Sequence, residues 1–333
     1  MYSKTYDEYV EKIDHICNIA GFKIKTIGKS ILNKPILFIE VPAKSIEVTK
    51  ILLTASIHGN EHPGAELIYK LLQDIHEDKL PISELKEMLN YTTIMIIPVV
   101  NPDGFNTWTR VNANCVDLNR NFPVGWGGYG ARKGTCCNIC CGNSPLDQKE
   151  SKIIYEKILP KNYYAHLDIH SGTEALAYPY ACWSTPPERE EEYISICKLH
   201  EEIARRYNIK PYSWNQIPMQ AIDIPPGFEE FHIQKIGNLI IYRCCGVLND
   251  TVHKHFNKLS LVLEVSYPYN PSYNKLIQYY YPRFLTIVTA MTIHALEKES
   301  KVKQFALPIT CISILSIAGY FMYKKLKEKK VKK

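Results

Sequence analysis

Short apolar runs alternate along this chain with longer stretches of helical periodicity. The runs are bounded by turn residues and predict strands at 36–41, 51–57, 93–100, 164–169 and 260–265. The helical periodicity predicts helices at 65–75, 148–158, 188–207 and 275–297. Strands that alternate with longer helices favour an α/β fold with a largely buried sheet.

The composition is that of a globular protein with a substantial core. Of the 333 residues, 46% are hydrophobic and 22% are charged, which allows one large domain or two ordinary ones. The net charge is +6, but the last ten residues hold seven lysines against the single Glu328. The rest of the chain is close to neutral, so its charge gives no case for nucleic-acid binding.

The C-terminal region contains a long apolar segment. Residues 305–323 read FALPITCISILSIAGYFMY, without a charged side chain. As a helix this segment would be about 28 Å long, just enough for a bilayer core. A buried core helix is the alternative, but the flanking charges and tyrosines favour one transmembrane helix. We therefore predict one large domain at 1–300, a membrane helix at 305–323 and a basic tail at 324–333.

The orientation of such an anchor is a separate question. The N-terminal region has no apolar stretch of the signal-peptide type, so insertion after synthesis is expected. This favours a single-pass C-terminal anchor with the catalytic domain in the cytosol. The terminal lysines argue for the opposite orientation, because positive flanks tend to stay cytoplasmic.

Eleven cysteines form an odd and clustered set. Four of them lie at 136, 137, 140 and 141, Cys115 precedes them, and Cys244 and Cys245 are neighbours. The spacing could indicate a zinc knuckle, but no second pair follows at finger spacing. A local disulfide or reduced thiols are expected instead. Disulfides from Cys115 to the cluster would require an oxidising compartment.

The first chemical signal is the segment HGNEH, which follows an apolar run directly. On a helix it would be an inverted zinc-protease motif, but Gly59 and Pro63 are poor residues for a helix interior. A loop between strand and helix agrees better with this sequence. In that setting His58 and Glu61 can both turn toward one metal ion.

A third metal ligand is expected at the end of the run AHLDIH. A catalytic zinc ion takes three protein ligands and keeps one open position. His170 ends the predicted strand, where a ligand crevice is expected. His166 and Asp168 lie on the same strand face and compete for this role. Their alternative role is to support the ligand or to fill the core.

Glu264 lies within the apolar run LSLVLEV. A carboxylate is expensive to bury there without a partner. It is therefore either half of a structural ion pair or a general base beside a metal-activated water. The basic cluster of Arg110, Asn119 and Arg120 lies in the long loop at 101–145, and such a fork suits a carboxylate.

Taken in order, these segments resemble the zinc metallocarboxypeptidases, the group of carboxypeptidases A, B, N, E and T. The matching segments are HGNE at 58–61, PVVNPDGF at 98–105, NANCVDLNRNFP at 112–123, HSGTEALAYPY at 170–180, YRCCGVLND at 242–250 and LVLEV at 261–265. The resemblance covers roughly residues 5–298. It implies a carboxypeptidase-like α/β fold, with a mixed, mostly parallel central sheet that is flanked by helices. It also implies one Zn²⁺ per chain and peptide C-termini as substrates.

The resemblance also implies roles for single residues. His58, Glu61 and His170 would bind zinc, and Glu264 would act as general base and then as proton donor. The substrate carboxylate would be held by Asn119 and Arg120, and Tyr242 would close over it. Arg110 would polarise the scissile carbonyl.

The same resemblance places the floor of the substrate side-chain pocket at Asn249. Cys244, Val247 and Val262 would lie nearby, and Ala181 stands where relatives with basic specificity carry an aspartate. Without a carboxylate, a buried Lys or Arg would lack a partner. The resemblance therefore implies release of neutral residues.

Departures from the family keep the subfamily and two rival functions open. Asn60 and the DLNRNFP segment are similar to the N/E branch, whereas the cysteine-rich loop is closer to the A/T branch. One rival is an aspartoacylase-like zinc amidohydrolase, against which NPDG and the ungapped path from Tyr242 to Glu264 argue. The other is a non-catalytic, membrane-tethered peptide-binding protein.

Overall fold

The computed structural model describes residues 1–183, 185–216, 233–236 and 239–306. The strands within them are β1 (Lys23–Lys29), β2 (Pro35–Val41), β3 (Thr49–Ala55), β4 (Thr92–Ile97), β5 (Ala165–His170), β6 (Ala175–Tyr178), β7 (Trp214–Gln216), β8 (Ile233–Ile236), β9 (Leu239–Tyr242) and β10 (Leu259–Glu264). The α-helices are α1 (Tyr6–Ala20), α2 (Pro63–His76), α3 (Ser83–Met88), α4 (Pro102–Thr107), α5 (Lys149–Lys157), α6 (Glu190–Arg206), α7 (Leu248–Phe256), α8 (Tyr273–Lys275) and α9 (Tyr281–Ala306). A 3₁₀ turn covers Leu118–Arg120, and a π-helical turn, Leu276–Tyr280, joins α8 to α9.

Eight of the described strands form one mixed sheet in the order β1-β2-β4-β3-β5-β10-β6-β7. Its four central strands, β4, β3, β5 and β10, are mutually parallel. The strands β2 and β6 pair with β4 and β10 in antiparallel fashion, and β1 pairs with β2 in antiparallel fashion. The prediction of a mixed α/β sheet flanked by helices is therefore confirmed.

Both faces of the sheet are covered by helices. One face packs against apolar side chains of α1, α2, α6 and α9 in a single large core. The other face packs against α5 and α7 in a smaller core. Strands that are buried on both faces read as continuous apolar runs, which is why β3, β4, β5 and β10 could be predicted from the sequence.

The parallel centre brings three chain segments to one edge of the sheet. β3 ends at Ala55, β5 ends at His170 and β10 ends at Glu264. In the β5–β10 register, Glu264 lies directly beside His170. Carboxyl ends of adjacent parallel strands form a crevice at which ligands bind. The loop after β3, which carries His58 and Glu61, opens into the same crevice.

One part of the predicted fold class is wrong. Among the helices that the structure describes, none is long and apolar enough to cross a membrane. The last of them, α9, belongs to the domain core, and five of its final ten residues, 297–306, are charged. The transmembrane helix of the predicted fold class is therefore not part of the fold that the structure describes. Residues 307–333, with most of the predicted span and the basic tail, lie outside the described residues.

The cysteine predictions are met in part. A local disulfide joins Cys137 to Cys140, as expected for the cluster. A second disulfide joins Cys182 to Cys245, which the sequence did not indicate. Cys115 is a free thiol, so no disulfide joins it to the cluster.

Candidate metal centre

Three side chains converge at the crevice in a geometry suited to a metal ion. Glu61 lies between two histidines, with Oε1 2.8 Å from His58 Nδ1 and Oε2 3.0 Å from His170 Nδ1. The two Nδ1 atoms are 3.2 Å apart. A tetrahedral zinc ion with bonds near 2.0–2.1 Å holds its ligand atoms about 3.3 Å apart. The spacing of these nitrogen and oxygen atoms is therefore close to that of a zinc site, and all three residues are buried.

Backbone constraints hold the loop that carries two of these ligands. A Cβ atom on Gly59 would lie 2.0 Å from the carbonyl carbon of Gly104, so only glycine permits this approach to α4. The amide of Gly59 also donates to the carbonyl of Arg110. Pro63 then occupies the first turn of α2, where its missing N–H is tolerated. The loop conformation predicted for HGNEH is thus observed.

Each histidine presents its second ring nitrogen to an aspartate. His58 Nε2 lies 3.2 Å from Asp117 Oδ1, and His170 Nε2 lies 2.9 Å from Asp168 Oδ2. A carboxylate at this position fixes the ring orientation and makes a histidine a better metal ligand. Asp168 therefore supports the ligand and is not a ligand itself. Of the roles predicted for Asp168, metal ligand or support of the ligand, the geometry agrees with support.

The electrostatics of the site favour a cation between these groups. Burial alone would raise the pKa of Glu61, but His58 and His170 hold it well below its usual range. Burial likewise opposes a charge on His170, yet the carboxylates of Asp168 and Glu61 raise its pKa well above the usual value. Where the metal would bind, the interactions with charged neighbours thus have a larger effect on these pKa values than the loss of solvent does.

Glu264 lies at the end of β10, beside His170, with a different electrostatic environment. Burial raises the pKa of Glu264 to about 7, an effect that His170 reduces and the Glu61 carboxylate reinforces. Its Oε2 atom has no hydrogen-bond partner among the described residues. The structural ion pair that was the alternative for Glu264 is therefore not found among the described residues. A carboxylate with a pKa near neutrality is suited to accept and return a proton.

The predicted basic cluster lies at the same crevice. Arg110 binds Asp117 Oδ2 through Nε and Nη2, at 3.0 and 2.8 Å, and its Nη1 is 3.8 Å from Glu61 Oε1. Arg120 is almost fully buried, and it donates to the backbone carbonyls of Gly130 and Asn119. Both arginines are thus within reach of one anionic centre, Asp117, which was not singled out from the sequence.

The residues predicted for the substrate side-chain pocket are also brought together. Ala177, Ala181, Cys244, Val247 and Val262 form one small apolar cluster. Asn249 in α7 is buried, and its Nδ2 has no hydrogen-bond partner among the described residues. The Cys182–Cys245 disulfide joins the segments that follow Ala181 and Cys244. Tyr242 ends β9, but its side chain lies outside the description.

Comparison with known proteins identifies the family of this chain. A model of the zinc carboxypeptidase family matches residues 18–285, most of the chain. The chain belongs to the zinc carboxypeptidase family. Zinc, which the sequence predicted as the cofactor, is the metal of this family, and His58, Glu61 and His170 form a group that could hold a metal ion.

Individual zinc carboxypeptidases are distant relatives. The chain is 29% identical to carboxypeptidase B of Rattus norvegicus over 201 residues, which are 55% of this chain and 45% of that protein. It is 30% identical to carboxypeptidase A5 of Homo sapiens over 191 residues, or 52% of this chain and 43% of that protein. The chain therefore spans less than half the length of these curated relatives.

Solved structures of the family share the fold. Bovine thrombin-activatable fibrinolysis inhibitor, in complex with tick carboxypeptidase inhibitor, matches 90% of this chain and 98% of that one, with a TM-score of 0.72 and 20% identity. Carboxypeptidase A from Helicoverpa armigera matches 87% and 73%, with a TM-score of 0.66 and 18% identity. At these identities the likeness concerns the fold alone.

One aromatic residue near the zinc carboxypeptidase site was missed by the sequence reasoning. Tyr269 packs against Gly172, just after His170, and burial together with the nearby Glu61 and Glu264 raises its pKa, which Arg110 partly offsets. The adjacent Asn270 ties its loop to the metal loop, since it accepts from the His62 amide and donates to the Asn60 carbonyl. No local pattern distinguishes this tyrosine from any other loop aromatic.

Proposed function

We propose that this chain is a zinc-dependent metallocarboxypeptidase that hydrolyses the C-terminal peptide bond of peptides and proteins. One observation carries the proposal: the His58–Glu61–His170 group lies beside a carboxylate, Glu264, whose pKa is raised to about 7. This arrangement combines a metal with an open position and a proton acceptor tuned to neutral pH.

The residues of the crevice divide the reaction between them. When bound, zinc supplies Lewis-acid chemistry and makes a water molecule available as nucleophile at neutral pH. Glu264 takes one proton from that water as the water oxygen bonds to the scissile carbonyl carbon. The Arg110 guanidinium stabilises the negative charge that develops on the carbonyl oxygen. Glu264 then returns its proton to the leaving amine nitrogen as the carbon–nitrogen bond breaks.

The basic residues next to the metal explain why the enzyme would act at chain ends. Arg120 and Asn119 follow Asp117 in the 3₁₀ turn, and Asn119 Oδ1 accepts the amide of Leu248 at the start of α7. The Arg120 guanidinium itself is held by the backbone carbonyls of Gly130 and Asn119. A guanidinium that is fixed by such contacts can bind a carboxylate through two parallel hydrogen bonds. An internal peptide bond supplies no carboxylate at that distance, so only the last residue would be released.

Digestion of defined peptides tests the proposed activity. We expect mass spectrometry to show loss of single C-terminal residues, abolished by a zinc chelator and restored by added zinc. Cleavage of acylated amino acids without cleavage of peptides would favour the aspartoacylase-like alternative. Binding of zinc and peptide without any hydrolysis would favour the non-catalytic alternative.

The pocket supports a preference for neutral C-terminal residues. Its walls are apolar, and the buried Asn249 has an amide donor without a partner among the described residues, which a carbonyl or hydroxyl oxygen of a bound side chain would satisfy. The neighbouring Asp250 is a buried carboxylate, and burial raises its pKa to about 7. Its oxygens accept the amides of Ala181 and Cys182, so it is engaged by the backbone. A lysine or arginine side chain would find no free counter-charge there.

Exchange of Asn249 tests this specificity directly. The parent protein should release Leu, Phe or Asn faster than Lys or Arg. Asn249→Asp should raise kcat/KM for C-terminal Lys or Arg by about 10- to 100-fold relative to Leu, because it supplies the missing carboxylate. Asn249→Leu is the matched control and should keep the preference for Leu. Faster release of Lys or Arg by the parent protein would contradict the proposal.

A further inference from the structure

A ladder of buried polar side chains lies beneath the metal centre, on one face of the sheet. His166, Asp168 and His170 alternate along β5 and point to the same side. The registers of the neighbouring strands place Thr54 of β3 beside Asp168 and Ser260 of β10 beside His166. All five side chains are at most 3% exposed. The mechanism described above uses only His170.

The contacts between these five side chains form one unbranched series. Ser260 Oγ lies 2.8 Å from His166 Nδ1, and His166 Nε2 lies 2.8 Å from Thr54 Oγ1. Thr54 Oγ1 donates to Asp168 Oδ1 at 2.6 Å, and Asp168 Oδ2 lies 2.9 Å from His170 Nε2. The series therefore links Ser260 to the metal ligand His170 through three intermediate residues.

The chemistry of the groups determines which atom carries each proton. An ionised Asp168 only accepts, so both Thr54 Oγ1 and His170 Nε2 must donate to it. Because its one proton is used in this way, the Thr54 hydroxyl accepts from His166 Nε2–H. His166 is neutral, since burial lowers its pKa to about 4. Its Nδ1 atom therefore accepts the hydroxyl proton of Ser260.

The consequence falls on His170. When His170 binds a metal ion, its ring is neutral. With its Nε2 proton committed to Asp168, the Nδ1 atom then carries the lone pair, and Nδ1 is the atom that lies 3.0 Å from Glu61 Oε2 in the metal group. Carboxylates and their partners behind a metal-binding histidine set its tautomer, its ring orientation and its strength as a ligand. Removal of one member would leave buried polar atoms unpaired and would loosen this control.

We propose that Thr54, His166 and Ser260 are positioning residues for the zinc site, which act through Asp168 to hold His170 with Nδ1 facing the metal. The series Ser260–His166–Thr54–Asp168 is called the support ladder below. The role rests on the zinc site of the proposed function and not on peptide hydrolysis. The sequence offers His166 and Asp168 as alternatives to His170 for the third metal ligand. The proposed role places both residues behind the ligand His170.

Thr54→Val removes the central hydroxyl of the support ladder with almost no change in shape. We expect zinc affinity, measured by competition with a chelator, to fall by about 10- to 100-fold. The visible absorption spectrum of the Co²⁺-substituted protein should also change, because it reports the ligand field at His170. Thr54→Ser keeps the hydroxyl and should restore both the affinity and the spectrum.

A matched control is available on the neighbouring strand β4. Thr92 is also fully buried in the sheet, but its hydroxyl has no hydrogen-bond partner among the described residues. Thr92→Val should therefore leave zinc affinity and the Co²⁺ spectrum unchanged. An equal loss of affinity in Thr92→Val and Thr54→Val would overturn the proposal, because the effect would then come from the sheet in general.

A second variant covers the case in which Thr54→Val does not fold. Ser260→Ala removes only the far end of the ladder, which frees the tautomer of His166, and zinc affinity should fall by about threefold or more. Parent-like zinc affinity in whichever of these variants folds would overturn the proposal. Zinc affinity is measured whether or not peptides are cleaved. Failure of the proposed activity, seen as absent hydrolysis with zinc bound, is thereby distinguished from failure of the support ladder.

Discussion

Glu264→Gln is expected to lower kcat by about 10²- to 10⁴-fold or more while the protein still binds zinc. The amide matches the carboxylate in size but cannot accept the proton of the attacking water. The three predicted metal ligands are untouched, and Oε2 of Glu264 has no partner to lose among the described residues. Steady-state kinetics on a peptide substrate and metal analysis of the purified variant are the two measurements.

The raised pKa of Glu264 gives this variant an internal control against misfolding. A carboxyl group with a pKa of about 7 in the folded protein and 4.5 otherwise disfavours folding once it ionises. That penalty is absent near pH 4, grows as the pH rises toward 7, and is then constant, on the order of 3 kcal/mol. The metal-free Gln variant should therefore be more stable than the metal-free parent at pH 8. Full peptidase activity in Glu264→Gln would refute the role of general base.

The sequence predicted those parts of the fold in which local pattern and tertiary environment agree. β3, β4, β5 and β10 are buried on both faces, so their apolar runs identify them, and α2, α5, α6 and α9 show helical periodicity. The strands at the edges of the described sheet, β1 and β7, carry no continuous apolar run, since each has only one neighbouring strand in that sheet. The short helices α3 and α4 are too brief for periodicity to be recognised.

The candidate site was predictable to a similar extent. His58, Glu61, His170 and Glu264 lie beside strand ends, and the registers of parallel strands bring such ends together. The partners that act behind them, Asp117 and Thr54, depend on cross-strand and loop contacts that no local pattern encodes. The Cys182–Cys245 disulfide is of the same kind, because its two segments are distant in sequence.

The membrane helix shows the opposite failure, in which a local pattern was read without its context. The apolar segment at 305–323 was treated as separate from the helix before it. In the structure, α9 continues to Ala306 through a strongly charged stretch, and none of the described helices can span a bilayer. Residues 307–333 lie outside the described residues, so the bounds 305–323 stay a prediction.

A free C-terminal carboxylate should be required for hydrolysis, and Arg120 should be the reason. For the parent protein we expect kcat/KM to fall by about 10²- to 10³-fold when a peptide acid is replaced by the corresponding amide, because a buried charge then loses its partner. Arg120 is 1% exposed and next to Asn119, so its guanidinium is shielded from water. In such surroundings a charge-assisted pair with the substrate is at its strongest.

Arg120→Gln tests whether the requirement for a free carboxylate depends on this side chain. The variant should cleave the peptide acid about 10²- to 10³-fold more slowly than the parent and should discriminate little between acid and amide. Arg120→Lys retains the charge but not the planar fork, so it should recover only part of the loss. Zinc content should be unchanged in both variants, because Arg120 is not part of the metal group. If Arg120→Gln still preferred the acid as strongly as the parent does, the carboxylate would be bound elsewhere, with Arg110 as the nearest alternative at the crevice.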